Sequence, residues 1–392
     1  MGDEEKILDI SNLHLEGDFD HQVQQILQFI RLTRAQVEDL QILFDDVQNT
    51  LATIWPGCVV QPFGSIVTGL GIKSSDVDCY INLLPWQKNP SDIYVTKAKS
   101  LMSRRPKLFS NLFAITTAKV PIVKCYHIPT QRYCDISFKS LFGVQNSKLL
   151  AYLINLDSRA FHLAILVKYW SKVHNLTGTN LLPNYSLLLL VIFYLQQKSI
   201  LPPIYRLQNA EYMVDNWNVA FDEIVYESDN DESLYNLLGE FFIYYRDFKY
   251  DQYIISPFLG RPIHKEQFNS VKFMTDQYSL YKFNLEKGIC QPLKLNTLIC
   301  VQDPFDHSRN CTGALHPKIA YSLLTHFKLS TDVFENERSD AFLWGILSIE
   351  IKGSLVTNTK KRVPKCIQKH RHAVSRKNNT IRNAFVRLKK QK

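Results

Sequence analysis

The chain has 392 residues, 45% hydrophobic and 21% charged. That is the make-up of an ordinary globular protein long enough for two modest domains, which excludes a disordered or fibrous class. The formal charge of +9 hides an asymmetry: residues 352–392 hold 14 Lys or Arg and no acid, against 32 basic and 37 acidic residues elsewhere. The body is mildly acidic, and the basic tail suits nucleic-acid contact or nuclear import.

The opening MGDEEKILDI is acidic where a secretory n-region is basic, and it lacks the Ser or Thr of a myristoylation signal. Eight cysteines stand apart with no Cys-x-x-Cys pair, which reads as reduced core thiols rather than disulfides or structural zinc. The longest apolar run, Tyr185 to Leu195, is broken once by Ser186 and falls short of the ~20 residues a bilayer needs. An intracellular protein without a membrane span is expected, in cytoplasm or nucleus.

Residues 1–20 are polar and read as a flexible N-terminus. From His21 to Trp55 apolar residues recur at helical spacing (Val23, Ile26, Leu27, Ile30, then Val37, Leu40, Phe44, Val47, Leu51), predicting one or two amphipathic helices. Pro56 and Gly57 stop them. A strand-rich block follows. CVVQPF reads as a strand, and DVDCYINL alternates so that Asp76, Asp78, Tyr80 and Asn82 share one face. KVPIVKCYHI and RYCDISFK predict a hairpin with a Pro-containing turn, Asp135 and Ser137 sharing a face of its second strand.

After Leu149 the pattern turns helical, with SRAFHLAILVKYWSKVHNL and NYSLLLLVIFYLQQ mostly apolar. An acidic loop precedes another helix, SLYNLLGEFFIYYRDF. Short strands are expected near Tyr253–Ser256 and Leu295–Gln302, then helices near Pro317–Phe327 and Ser339–Ile351. In the tail, Ile381, Ala384, Phe385 and Leu388 have helical spacing among basic residues and predict a short amphipathic helix.

A lone Gly-Ser carries no signal, and a lone Asp-x-Asp usually sits in a solvated loop. The order here is more telling: a strand, the turn Gly64-Ser65, a strand bearing Asp76 and Asp78, then a strand bearing Asp135. Phosphoryl and nucleotidyl transfer needs positioning and cations on developing charge. Mg²⁺ prefers carboxylate oxygens, and two ions about 3.5–4 Å apart hold both attacking and leaving oxygens. Such a pair needs carboxylates converging from rigid elements, and a tight Gly-Ser turn offers amides and a hydroxyl to phosphate.

With FGS, SSDVD and the later segment DPFDHSRN at 303–310, the chain resembles the DNA polymerase β-type nucleotidyltransferases. More narrowly it is similar to the terminal uridylyltransferases and related cytoplasmic-type poly(A) polymerases, over roughly residues 21–350. The resemblance implies an α+β fold of two domains around a cleft. Its expected parts are helices at 21–55 packing on the central domain, a mixed-sheet catalytic domain at 56–147, a mostly helical domain at 148–350, and the basic tail from 351.

It also implies roles by position. Asp76, Asp78 and Asp135 hold two Mg²⁺ or Mn²⁺ ions, with Asp135 helping to align or deprotonate an RNA 3′-hydroxyl. Gly64 and Ser65 grip phosphate, Lys168 and Lys172 hold the triphosphate, Asn146 contacts ribose, and Tyr185 stacks on the incoming base. The spacing of the lysines puts both on one helix face, although paired lysines are more often a solvated face. The 303–310 segment recognises the nucleotide, bringing in Asp303 and Arg309. Three positions depart from the relatives: Ser140 replaces a second ribose-contacting asparagine, Asn184 the serine before the tyrosine, and Arg309 the histidine that reads uracil. These bear on nucleotide choice and leave the metal site intact.

The expected reaction is template-independent extension of an RNA 3′ end by a monomeric enzyme, from UTP, with ATP as the alternative. The resemblance leaves room for an RNA-binding partner protein. Two other readings stand beside it: an inactive RNA-binding scaffold of the same fold, which relatives usually become by losing a carboxylate, and a nucleotide second-messenger synthase, which the Asp-Pro-Phe segment disfavours.

Overall fold

The computed structural model describes residues 7–87, 91–118 and 120–351. Five strands form one sheet: β1 Val59–Phe63, β2 Val77–Asn82, β3 Phe109–Ile115, β4 Ile122–His127 and β5 Arg132–Ser137. Their order is β1-β2-β5-β4-β3. Only β2 and β5 run parallel; the other pairs are antiparallel. β4 and β5 are the predicted hairpin, and Gln131 closes its turn with a φ of 53°.

Period-two alternation splits the sheet into two unlike faces. Val77, Cys79 and Ile81 of β2, Val123 and Cys125 of β4, and Cys134 and Ile136 of β5 point back into a core. Two helices, α3 Leu40–Leu51 and α4 Ser91–Met102, cover them through Leu43, Val47, Leu51, Val95, Ala98 and Met102. Each of the larger of these side chains, fully buried, contributes about 1.5–3 kcal/mol. The three thiols lie side by side, Cys134 Sγ 3.8 Å from Cys79 Sγ. The opposite face carries the aspartates.

A second, larger core belongs to the helices. Its members are α1 Phe19–Ile30, α5 Phe142–Asn155, α6 Ser158–Val173, α7 Asn184–Gln197, α8 Leu234–Asp247, α9 Ser279–Glu286, α10 Pro317–Asn336 and α11 Ser339–Leu347. Helices α6 and α7 are buried nearly all round, hence their almost unbroken apolar sequence. The fold is therefore α+β, a small mixed sheet with its own core beside a mostly helical part.

Contrary to what the resemblance implied, residues 21–55 do not all pack on the helical part. Helix α1 joins the helical core and α3 the sheet core. Between them, Thr33 and Gln36 form a capping box that starts the short helix α2, Arg34–Glu38, so the chain turns and the two apolar stripes part. The strand expected over Leu295–Gln302 reduces to isolated bridges, Ile255 with Val301 and Gln302 with Asn310. Helix α4 and strand β3 carried no sequence expectation. Two small hairpins complete the helical part: β6 Met213–Val214 with β7 Trp217–Asn218, and β8 Tyr253–Ser256 with β9 Arg261–His264. The first turns on Asp215 and Asn216, both at positive φ, the geometry of a tight two-residue hairpin. Among the described residues no single helix is long and apolar enough to cross a membrane. The basic tail helix falls outside the described residues.

Candidate active site

The register sets one row of side chains across the open face. Asp78 pairs with Asp135 across β2 and β5, Asp135 with Lys124 across β5 and β4, and Lys124 with Phe113 across β4 and β3. Asp76 stands just before β2. Lys124 Nζ lies 2.7 Å from Asp76 Oδ2 and 3.2 Å from Asp135 Oδ1. Burial opposes the charge on Lys124, but Asp135 and Asp76 together outweigh it and raise its pKa. Lys124 was not foreseen. KVPIVKCYHI reads as a strand, but only the pairing with β5 reveals what its lysine faces.

The carboxylates are under electrostatic load. Burial, then Asp135 and Asp76, push Asp78 up to about 7. Asp135 is raised by burial and Asp76, with Lys124 opposing. Asp135 Oδ1, close as it is to Lys124, receives no well-directed hydrogen bond. Among the described residues no three acidic, His or Cys side chains are already drawn into a metal-ready cluster, because Asp76 and Asp135 are turned to the ammonium. The donor chemistry nevertheless fits a hard dication: three carboxylates on or beside adjacent strands, one with an orphaned oxygen and one whose charge burial and then its acidic neighbours disfavour until a cation offsets them.

Gly64 is required twice over. Its φ is +74°, and a Cβ there would meet Asp78 Oδ2 at 2.4 Å. Its N–H donates to Ser147 Oγ at 2.7 Å, and Ser147 in turn donates to the Gly143 carbonyl. That amide is therefore engaged with α5 rather than presented to a phosphate, a correction to the simple picture of the turn as a cradle.

A cavity of about 360 Å³ opens beside Asp78, lined among others by Gly64, Ser65, Asn146, Lys168, Asn184, Tyr185 and Arg309. Asn146 is buried and its Oδ1 has no partner. Lys168 donates to the Leu70 carbonyl at 2.6 Å and to Ser75 Oγ at 3.3 Å. Burial, then Lys172, bring its pKa down to about 7. Lys172 itself is half-buried and does not line the cavity.

Asp303 also stays out of the lining. It is fully buried behind it, accepting from Tyr185 OH at 3.2 Å and from the Phe305 and Asp306 amides. Arg309 Nη1 lies 3.5 Å from Asp303 Oδ2, and its guanidinium sits 5.9 Å from the Tyr185 ring centroid. Asp303 thus orients both residues without reaching the cavity. Ser140 lines the cavity and donates to Asp215 Oδ2 at 2.8 Å, tying the tip of the β6–β7 hairpin to the sheet.

Two family models match this chain. One, described as poly(A) RNA polymerase, mitochondrial-like, central palm domain, covers residues 19–155; the other, Cid1 family poly A polymerase, covers 233–309. The speckle targeted PIP5K1A-regulated poly(A) polymerase of Xenopus tropicalis is 23% identical, over 85% of this chain and 47% of that protein. Terminal uridylyltransferase 7 of Homo sapiens is 28% identical, over 74% of this chain and 19% of that one. The chain spans about half the length of the curated relatives it matches. A crystal structure of mtPAP in complex with UTP shares the fold, with a TM-score of 0.71 at 19% identity over 88% of this chain and 74% of that one.

Proposed function

We propose that this chain, which belongs to the family of Cid1-type poly(A) polymerases and terminal uridylyltransferases, extends RNA 3′ ends without a template, releasing pyrophosphate from a ribonucleoside triphosphate. The observation that carries the reading is the row Asp78–Asp135–Lys124, with Asp76 beside it, whose first member Asp78 lines a nucleotide-sized cavity. Asp76, Asp78 and Asp135 would hold divalent ions, which when bound supply charge to the attacking and leaving oxygens. Asp135 aligns the 3′-hydroxyl and takes its proton. Ser65 and Lys168 meet phosphate, Asn146 offers its unpartnered oxygen to a ribose hydroxyl, and Tyr185 stacks on the base. Lys172 adds positive field from behind Lys168. All three carboxylates are present, which favours an enzyme over an inactive scaffold.

Arg309 supports UTP as the substrate. Held by Asp303 against Tyr185, it offers donors only. Uracil O4 accepts from it, whereas the adenine exocyclic amine does not. A preference for UTP over ATP of about tenfold, or ~1.4 kcal/mol, follows. Incubation of the protein with an oligoribonucleotide, Mg²⁺ and each triphosphate separately tests both levels. A product ladder with any triphosphate supports the reaction, and no extension in Mg²⁺ or Mn²⁺ refutes it. ATP preferred by wild type, with Arg309→His shifting preference to UTP, refutes the choice of base.

A further inference from the structure

The open face of the sheet does not end at the carboxylates. Phe113 continues their row one strand beyond Lys124. Tyr133 stands two residues before Asp135 on the same face and pairs with Tyr126 of β4. Their rings meet edge to face at 5.0 Å, and Lys124 Nζ lies 5.7 Å from the Tyr133 ring centroid. Phe113 is 46% exposed, Tyr133 41% and Ile115 39%, although the other face of these strands is fully packed. Val120, 47% exposed, also lines the cavity. The apolar patch therefore borders the carboxylates on the sheet face, and the loop from β3 to β4 carries Val120 to the cavity wall.

We propose that Phe113, Tyr126 and Tyr133 form a stacking platform for the bases just upstream of the RNA 3′ end. The inference rests on the reading of the carboxylates as the site of 3′-end extension. If the 3′-hydroxyl sits at Asp135, the strand leading to it must leave over neighbouring surface. Tyr133 is about 7 Å from Asp135 along its strand, and Phe113 about 10 Å away across two strand spacings. Both are within reach of the preceding nucleotides. The carboxylates repel phosphate, so attraction here has to come from the bases. Aromatic rings supply it without choosing a sequence, because every base has a π face.

The test is binding without turnover. A short 5′-fluorescein oligouridylate is titrated in EDTA against wild type, Phe113→Ala, Tyr133→Ala and Tyr133→Phe, at low and high salt. Each alanine variant is expected to bind about tenfold more weakly, by the same factor at both salt concentrations, and Tyr133→Phe to bind as wild type. Removing the last bases of the probe, leaving abasic sugars, should weaken wild type more than either alanine variant, which has already lost one of the rings. Retained binding of UTP with Mg²⁺ shows that the variants are folded. RNA affinity unchanged in both alanine variants overturns the platform. So does a wild-type dimer in light scattering that the alanine variants dissociate, which would make the patch a contact between copies. A protein that binds through these residues and never extends RNA keeps the stacking surface and refutes the proposed reaction instead.

Discussion

Asp78→Asn should stabilise the metal-free protein, and by an amount that grows with pH. The folded-state pKa of Asp78 is raised to about 7 by burial and by Asp135 and Asp76, against about 3.9 in an unfolded chain. A carboxyl raised in this way contributes its full stability below pH ~4. That contribution is lost as pH rises from ~4 to ~7, because the folded state holds a proton that the unfolded state releases. A shift from about 3.9 to about 7 amounts to roughly 4 kcal/mol lost by pH 8, the larger part of it between pH 5 and pH 8. Asparagine keeps the shape and never ionises. Urea unfolding in EDTA at pH 5 and pH 8 should therefore show the variant gaining on wild type between the two, by on the order of 2–3 kcal/mol. Saturating Mg²⁺ should restore much of the wild-type stability at pH 8 and little of the variant's. An equal stability difference at both pH values would refute the electrostatic argument.

Lys124→Met removes the ammonium between Asp76 and Asp135. Both carboxylates keep some solvent access, so the metal-free loss should be only about 1 kcal/mol; thermal unfolding with and without Mg²⁺ should show the deficit shrinking when the ion is present. Gly64→Ala combines left-handed strain of about 1–2 kcal/mol with a direct clash on Asp78, and single-turnover extension should slow at least tenfold, in line with ~1.4 kcal/mol. A wild-type rate would mean the turn adjusts freely. Deleting residues 352–392 should flatten the salt dependence of RNA binding and spare extension at saturating RNA; an unchanged slope in filter binding would assign the tail to targeting.

The aspartate pattern was legible because period two is local: which face Asp76 and Asp78 share depends on nothing beyond their own strand. Asp135 was legible for the same reason. Lys124 was not, since its meaning lies in the register of the β4–β5 hairpin and in the parallel pairing that brings Asp76 alongside, which no single strand's alternation carries. Strand β3 escaped notice because its register shifts between Ser110 and Phe113, with Asn111 at φ 49°, which interrupts the alternation. Helix α4 escaped because its sequence, SDIYVTKAKSLM, scatters polar residues among the apolar ones. The division of residues 21–55 between two cores was hidden for a further reason: helical spacing says that a face is buried, and nothing about what it is buried against.

Cys79, Cys125 and Cys134 lie fully buried on the inner face of the strands whose outer face carries Asp78, Lys124 and Asp135. Hydrogen bonding among the thiols and then burial raise the pKa values of Cys125 and Cys134, and a protonated thiol reacts poorly with alkylating reagents. These sulfurs can be modified only when the sheet itself opens. Their labelling rate in native buffer is therefore a clock for local unfolding of the strands that carry the candidate metal ligands. Cys290, only half-buried, serves as an internal reference that reacts without such opening. Divalent ions or nucleotide that tighten the sheet should slow the three and leave Cys290 alone, giving a readout of site occupancy that requires no RNA and no turnover.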